Sequence, residues 1–127
     1  MSPSEPYPKD VQLARGERRY RRKVASPKQW QAIVAAKHGP CRCSPLPPPW
    51  CVFPIQFHHL VSREDGGDDV PDNIVPICGQ HHEHVHHRRA VSVRLLLASL
   101  SDAEYAYMIE RGGEDYPERA YGIEYQR

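Results

Sequence analysis

Histidine and cysteine are the residue types with the clearest chemical signal in this sequence. Seven of its eight histidines fall between positions 58 and 87, and four cysteines lie near them. They are His58, His59, His81, His82, His84, His86 and His87, with Cys41, Cys43, Cys51 and Cys78. Cysteine mixed with histidine in a cytosolic chain is more typical of metal binding than of disulfides. Two disulfides are the alternative interpretation of the cysteines.

Three of these imidazoles are spaced so that they can share one cation. His82 and His86 are four residues apart and therefore lie on one face of the helix expected over 81–89. His58 belongs to an alternating, strand-like segment, 55–58, and can supply a third nitrogen. Three protein ligands leave positions open for substrate and water, which is the arrangement of a catalytic metal site.

The next residue, His59, is expected to stay free of the metal. Successive side chains of a strand point to opposite sides, so His59 points away from His58 unless the strand bends there. A free imidazole has a pKa of about 6.5 and is suited to accepting a proton. Asn73 carries amide donors and an acceptor, which suit it to tying the loop backbone and orienting His59.

Capping and turn signals indicate the elements that must position these groups. Segment 26–40 is predicted to be a helix, with serine as N-cap, proline in the first turn and Gly-Pro as its end. Segment 62–69 is a polar loop with a Gly-Gly pivot, and 72–77 combines a turn with a second short strand. The apolar run 91–100 must pack against something. A Ser-x-x-Glu capping box opens another helix over about 101–111.

Length and composition predict one domain with a modest core. The chain has 127 residues, of which 39% are hydrophobic and 13 are prolines, and its mean hydropathy is −0.70. We therefore expect the fold to need additional stabilisation, such as disulfides or a bound metal. The longest purely apolar run, 95–98, is far shorter than the about 20 residues of a membrane span, and residues 1–25 show no signal-peptide pattern. We expect a cytoplasmic protein rather than a secreted or membrane-spanning one.

The run FHHLVSREDGGDDVPDNIVPICGQHHEHVHHR, residues 57–88, resembles the HNH endonuclease family, the ββα-metal or His-Me finger nucleases. The doubled first histidine, the central asparagine and the His-x-x-x-His of the closing helix are present as His58, His59, Asn73, His82 and His86. The likeness spans roughly residues 38–90 and is greatest to the small HNH proteins of phages and actinobacteria. It implies an α+β fold, with a small ββα-metal core, a structural zinc and flanking helices.

By that resemblance the protein is a metal-dependent DNA endonuclease. His58, His82 and His86 would bind one catalytic divalent cation, Mg²⁺ or Mn²⁺ first and Ni²⁺ or Zn²⁺ as further candidates. His59 would be the general base, supported by Asn73. In-line attack of water on double-stranded DNA would leave 5′-phosphate and 3′-hydroxyl ends. The resemblance also implies a role in phage DNA packaging, beside a terminase.

A structural Zn²⁺ follows from the same resemblance, because many members hold one between two Cys-x-x-Cys pairs. Here the second pair reads Cys78-x-x-His81, and the first reads Cys41-Arg-Cys43, which is one residue shorter. The expected ligands are Cys41, Cys43, Cys78 and His81. Cys51 is the alternative to Cys43, since thiolates two residues apart need a tight backbone to hold one ion. Such a zinc would stabilise a small, proline-rich chain; buried free thiols are the other possibility.

Charge divides the chain into three parts. Residues 1–25 carry seven Lys/Arg against three Asp/Glu and are predicted to be a flexible, basic arm for nucleic acid, or else a solvated tail. Residues 26–100 are predicted to form the HNH nuclease domain with its zinc site. Residues 101–127, with three Arg against seven acids, are predicted to be a helical, acidic extension.

A second class of function fits the same residues. In this alternative the chain is a non-catalytic module, stabilised by zinc, that binds DNA or a protein partner, and the histidines serve structure alone. Basic side chains around the motif are candidates for phosphate contacts in either case. They are Arg63, Arg88, Arg89 and Arg94.

Overall fold

The structure, a computed structural model, describes residues 21–44, 51 and 54–127. In chain order its elements are α1 (Pro27–Lys37), β1 (Ile55–His59), β2 (Ile74–Cys78), α2 (Gly79–His86), α3 (Ala90–Ser99), α4 (Asp102–Gly112) and α5 (Tyr116–Tyr121). Short 3-10 turns at Arg63–Asp65 and Pro71–Asn73 interrupt the connection between the two strands. The α+β class and the central ββα order are therefore confirmed. Residues 1–20 of the expected basic arm lie outside the described residues.

Reciprocal side-chain caps start two of the helices. At α1, the Ser26 hydroxyl accepts from the Gln29 amide while the Gln29 side chain accepts from the Ser26 amide. Ser101 and Glu104 make the same pair of bonds at α4. Each box satisfies two backbone donors that a helix start otherwise leaves without partners. Both helices begin where the sequence predicts.

The two strands form an antiparallel hairpin that carries the histidine pair at the end where the connecting loop leaves β1. His58 lies opposite Val75, and His59 lies opposite Ile74, the first residue of β2. Every residue of β2 is buried, whereas β1 is only partly covered. The first strand, which carries the two histidines, is therefore the more accessible of the two.

Helix α2 starts earlier and ends earlier than the predicted range 81–89. Cys78, the last residue of β2, is its N-cap, and its sulfur accepts from the His81 amide. The helix ends at His86, and Arg88 adopts a left-handed backbone with φ 58°. Non-glycine residues seldom adopt this conformation, which reverses the chain into α3.

One apolar cluster joins the hairpin to the C-terminal helices. The run at 91–100 is helix α3, and its buried side chains pack with residues from both strands and from α4 and α5. The largest buried members include Leu60, Ile77, Val93, Leu96, Leu97, Met108 and Tyr116. The acidic C-terminal helices are thus part of the domain's packing. No helix among the described residues is long and apolar enough to cross a membrane.

A buried carboxylate fixes three of these elements to one another. Glu104, at the start of α4, is 2% exposed and pairs with Arg42 at 2.7 Å and with Lys37 at 2.5 Å. Burial alone would raise the pKa of Glu104, but the hydrogen bonds from Arg42 and Lys37 outweigh it and hold the pKa at about 2. The ionised carboxylate therefore fastens α1 and the cysteine-containing turn at 41–44 against α4.

Candidate metal centres and catalytic groove

The three histidines with metal-ligand spacing come together in space. His58 of β1 and His82 and His86 of α2 each offer a nitrogen, and these three atoms all lie within 4.8 Å of one another. The Nε2 atoms of His82 and His86 are 3.1 Å apart. Two nitrogens bound to one tetrahedral ion at about 2.0 Å each are about 3.3 Å apart. The donor set therefore fits one divalent cation.

The surroundings of His58 and His82 keep these two imidazoles neutral. Burial, followed by the proximity of His82 and His86, lowers the pKa of His58 to about 3. Burial also lowers the pKa of His82, with a further contribution from His86. Only neutral imidazole can donate a lone pair to a metal. At neutral pH, His58 and His82 can consequently bind a cation without first losing protons.

Two side chains outside the group bond to ring nitrogens of its histidines. Gln56, two residues before His58 on β1, places Oε1 2.6 Å from Nδ1 of His82. The Tyr121 hydroxyl, at the end of α5, lies 2.8 Å from Nε2 of His58. Such partners orient the rings of metal-binding histidines and fix their tautomers.

The next histidine, His59, has separate surroundings. Its ring stacks on Trp30 of α1, with centroids 5.8 Å apart and planes 6° from parallel. Its Nε2 lies 2.8 Å from Oδ1 of Asp69. Burial lowers the pKa of His59, and the bond to Asp69 only partly offsets this effect. His59 is therefore neutral at pH 7, with Nε2–H donated to Asp69 and the Nδ1 lone pair left to accept a proton.

Hydrogen bonds from residues just before α1 keep Asp69 ionised. Arg22 donates to Oδ1 at 3.0 Å, and the Ala25 amide donates to Oδ2 at 2.9 Å. Burial alone would raise the pKa of Asp69, but the bonds from Ala25, His59 and Arg22 outweigh it and lower the pKa to about 2. Asp69 therefore acts only as an acceptor, which determines the tautomer of His59.

Asn73 is completely buried and acts on the loop backbone. Its Oδ1 accepts from the Val61 amide at 2.8 Å, while Nδ2 donates to the carbonyls of Val61 and Asp68 at 3.0 and 2.9 Å. These bonds close the loop that runs from His59 to Asp69. The predicted role in tying this loop agrees with these bonds, and any orienting of His59 passes through the backbone and Asp69.

An open groove brings His59 and two histidines of the three-imidazole group, His58 and His86, to one surface. The groove has a volume of about 240 Å³. Arg88 and Arg119 line it as well. A groove with cationic side chains beside a metal group and a neutral imidazole can accept a phosphodiester and deprotonate a water next to it.

A second group of ligands lies on the other side of the hairpin. Cys41, Cys51, Cys78 and His81 each offer one atom, and all four atoms lie within 4.8 Å of one another. Nδ1 of His81 is 3.5, 3.5 and 3.2 Å from the sulfurs of Cys41, Cys51 and Cys78. Sulfur and nitrogen ligands of a tetrahedral zinc are about 3.5 Å apart, so three thiols and one imidazole fit Zn²⁺.

The structure differs here from the favoured sequence-based set, because Cys51 takes the position expected for Cys43. The Cys43 sulfur is fully buried and contacts the Ser92 carbonyl at 3.4 Å. A hydrogen bond from Cys43 is the largest of the effects that lower the pKa of Cys41 to about 4. Cys43 thus faces the core beside the cluster. Cys51, which follows the proline-rich segment in the sequence, supplies the third thiol instead.

Comparison with known proteins identifies the central segment. Residues 51–91 match the model of the HNH endonuclease family. This segment is similar to an HNH nuclease domain. No curated protein and no solved structure matches the chain. The resemblance carried by the histidines and asparagine is thereby confirmed for residues 51–91, and the match supports a nuclease-type function and metal binding in general.

Four residues that the sequence analysis did not assign to the site contact its histidines. Asp69, Gln56 and Tyr121 bond directly to its histidines, and Trp30 covers His59. Asp69 carried a local signal, since a carboxylate in the Gly-Gly-Asp-Asp loop is a natural partner for a nearby imidazole. Trp30 and Tyr121 lie outside the matched segment, so their roles depend on tertiary contacts that motif spacing does not contain.

Proposed function

We propose that this protein is a metal-dependent DNA endonuclease in which His58, His82 and His86 hold the catalytic cation and His59 is the general base. The observation that carries the proposal is that His58 and His86 of the three-imidazole group line one groove together with His59, whose Nε2 bonds to Asp69. A purely structural metal site needs no unligated, oriented imidazole beside it. The non-catalytic module is therefore the weaker of the two alternatives.

The residues in and beside the groove have separate roles in the proposed reaction. When bound, a divalent cation would offset charge on the phosphoryl oxygens and stabilise the leaving 3′ oxygen. His59 Nδ1 takes the proton of the attacking water, and the imidazolium that forms is stabilised by the Asp69 carboxylate. Arg63, 58% exposed and 3.7 Å from Asp69, is placed to contact a neighbouring phosphate. The products would carry 5′-phosphate and 3′-hydroxyl ends.

The chemistry of the imidazole set also bears on the metal. Imidazole is a softer ligand than carboxylate, so Mn²⁺, Ni²⁺ and Zn²⁺ match this group better than Mg²⁺ does. The separate Cys41, Cys51, Cys78 and His81 group would hold a structural Zn²⁺ that stabilises the fold. A place beside a phage terminase, like a cytoplasmic location, stays a prediction from the sequence.

Digestion of supercoiled plasmid DNA across a series of divalent metals tests the proposal. We expect nicked or linear products with Mn²⁺ or Mg²⁺ and their loss in His59→Ala, with the fold and the bound zinc unchanged. His87→Ala is the matched control, since that imidazole is largely exposed and belongs to neither metal group. Cleavage at the wild-type rate by His59→Ala would refute the assignment of the base. Binding of DNA without cleavage at any metal would favour the non-catalytic module.

A further inference from the structure

The C-terminal helix reaches the catalytic group through a single side chain. Tyr121 is the last residue of α5 and only 5% exposed, and its hydroxyl lies between β1 and the following loop. This oxygen is 2.6 Å from the Leu60 carbonyl and 2.8 Å from Nε2 of His58, which is 63 positions earlier in the chain. Tyr121 lies well beyond the matched HNH segment.

Counting the hydrogens in this contact determines which nitrogen of His58 is protonated. A phenol has one hydrogen to donate, and a backbone carbonyl can only accept. At 2.6 Å from the Leu60 carbonyl, the Tyr121 oxygen must point its hydrogen at that carbonyl, because two acceptors at this distance repel each other. Nε2 of His58 must then donate to Tyr121. The remaining nitrogen, Nδ1, keeps the lone pair.

In the three-imidazole group, His82 also bonds to a side chain outside the group, and this contact favours the opposite tautomer. Nδ1 of His82 faces the Gln56 carbonyl oxygen at 2.6 Å, so Nδ1 carries the hydrogen and Nε2 keeps the lone pair. That Nε2 is the atom 3.1 Å from Nε2 of His86. The strand histidine and the helix histidine therefore need different tautomers to serve one cation, and a different side chain enforces each.

We propose that Tyr121 is a positioning residue that fixes His58 as the Nε2–H tautomer and so presents its Nδ1 to the catalytic cation. This inference rests on the proposed function, since it assumes that His58, His82 and His86 hold that cation. It makes α5 a part of the catalytic centre. Mutating such a hydrogen-bond partner of a metal-binding histidine typically weakens metal binding by about 10- to 100-fold.

Calorimetric titration of the zinc-loaded protein with Ni²⁺ tests this role. We expect Tyr121→Phe to raise the Kd for Ni²⁺ by about 10-fold or more, and His58→Ala to abolish binding at this site. Tyr125→Phe is the control, because it removes a phenol from the same C-terminal segment that does not contact the histidines. A wild-type Kd in folded Tyr121→Phe would overturn the positioning role. Absence of Ni²⁺ binding by the wild-type protein would overturn the metal site and this role with it.

A spectroscopic measurement keeps the inference testable even if Tyr121→Phe folds poorly. Long-range ¹H–¹⁵N spectra of the wild-type protein distinguish the two neutral tautomers of each imidazole. We expect the Nε2–H pattern for His58 and the Nδ1–H pattern for His82 before Ni²⁺ is added. A structural packing role for Tyr121 alone would leave the tautomer of His58 unconstrained. An Nδ1–H pattern for His58 would overturn the inference without any variant.

Discussion

Replacement of Asp69 by asparagine is expected to slow DNA cleavage strongly while leaving the metal groups intact. Asp69 accepts at Oδ1 from both His59 and Arg22, and at Oδ2 from the Ala25 amide. Asparagine has one acceptor oxygen for these three donors. If that oxygen stays with Ala25, the amide NH₂ faces Nε2 of His59 and favours the tautomer with hydrogen on Nδ1. The base then has no lone pair directed at the groove.

The size of the effect follows from the bond that is lost. A hydrogen bond to a charged group contributes about 1.5–3 kcal/mol, and each 1.36 kcal/mol is about tenfold in rate. Because His59 becomes an imidazolium in the transition state, kcat should fall roughly 10- to 150-fold. The bond to Asp69 raises the pKa of His59 against the larger lowering by burial. Without it the pKa falls further, so the acidic limb of the pH–rate profile should move to lower pH.

The assay is single-turnover cleavage of a labelled duplex at saturating Mn²⁺, measured across pH. Asp68→Asn is the matched control, since it removes the same charge one position earlier, from a carboxylate that bonds to Tyr107 and the Lys23 amide instead of His59. It should destabilise the fold without moving the acidic limb. A wild-type kcat in folded Asp69→Asn, or an acidic limb displaced to higher pH, would refute the reasoning.

Three further predictions concern the fold that supports the site. Cys51→Ser should lose the structural zinc and Cys43→Ser should retain it, as measured by atomic absorption of purified protein; the reverse result would restore the sequence-based ligand set. Glu104 has a folded pKa of about 2 against a reference of 4.5, so its contribution of about 3 kcal/mol is present above pH 4.5 and lost as the pH falls toward 2. Glu104→Gln should flatten that part of the stability profile in chemical unfolding. A Cβ at Gly67 would meet a backbone oxygen at 1.8 Å, whereas one at Gly39 would meet nothing within 4 Å, so only Gly67→Ala should lower the melting temperature markedly.

The sequence predicts those parts of the site that depend on local geometry. The four-residue spacing of His82 and His86 needs only the period of a helix to place both rings on one face. The two capping boxes likewise act within four residues, and both helix starts are correct. The predicted ends of α2 were less accurate. The helix is capped by the Cys78 sulfur, and the chain turns away after it at Arg88, which has a left-handed backbone conformation.

The features that could not be predicted from the sequence depend on contacts between distant segments. Cys43 and Cys51 are the same residue type, and only the folded structure shows that Cys51 lies against His81. Tyr107 of α4 donates to Asp68 of the loop that precedes Asn73, although the two residues are 39 positions apart in the chain. Such pairings depend on the assembled fold, which periodicity does not encode.

The HNH segment supplies the reactive groups, but its neighbours orient them. A two-stranded hairpin is marginally stable by itself, so residues 51–91 need support from both sides. Trp30 covers His59, the proposed base, Arg22 bonds to the Asp69 carboxylate, and Tyr121 bonds to His58. The zinc group also takes its first thiol, Cys41, from outside the segment. Since each of these contacts acts on the tautomer, the charge or the placement of a reactive side chain, substitutions in the flanking elements should alter catalysis and metal affinity separately from stability.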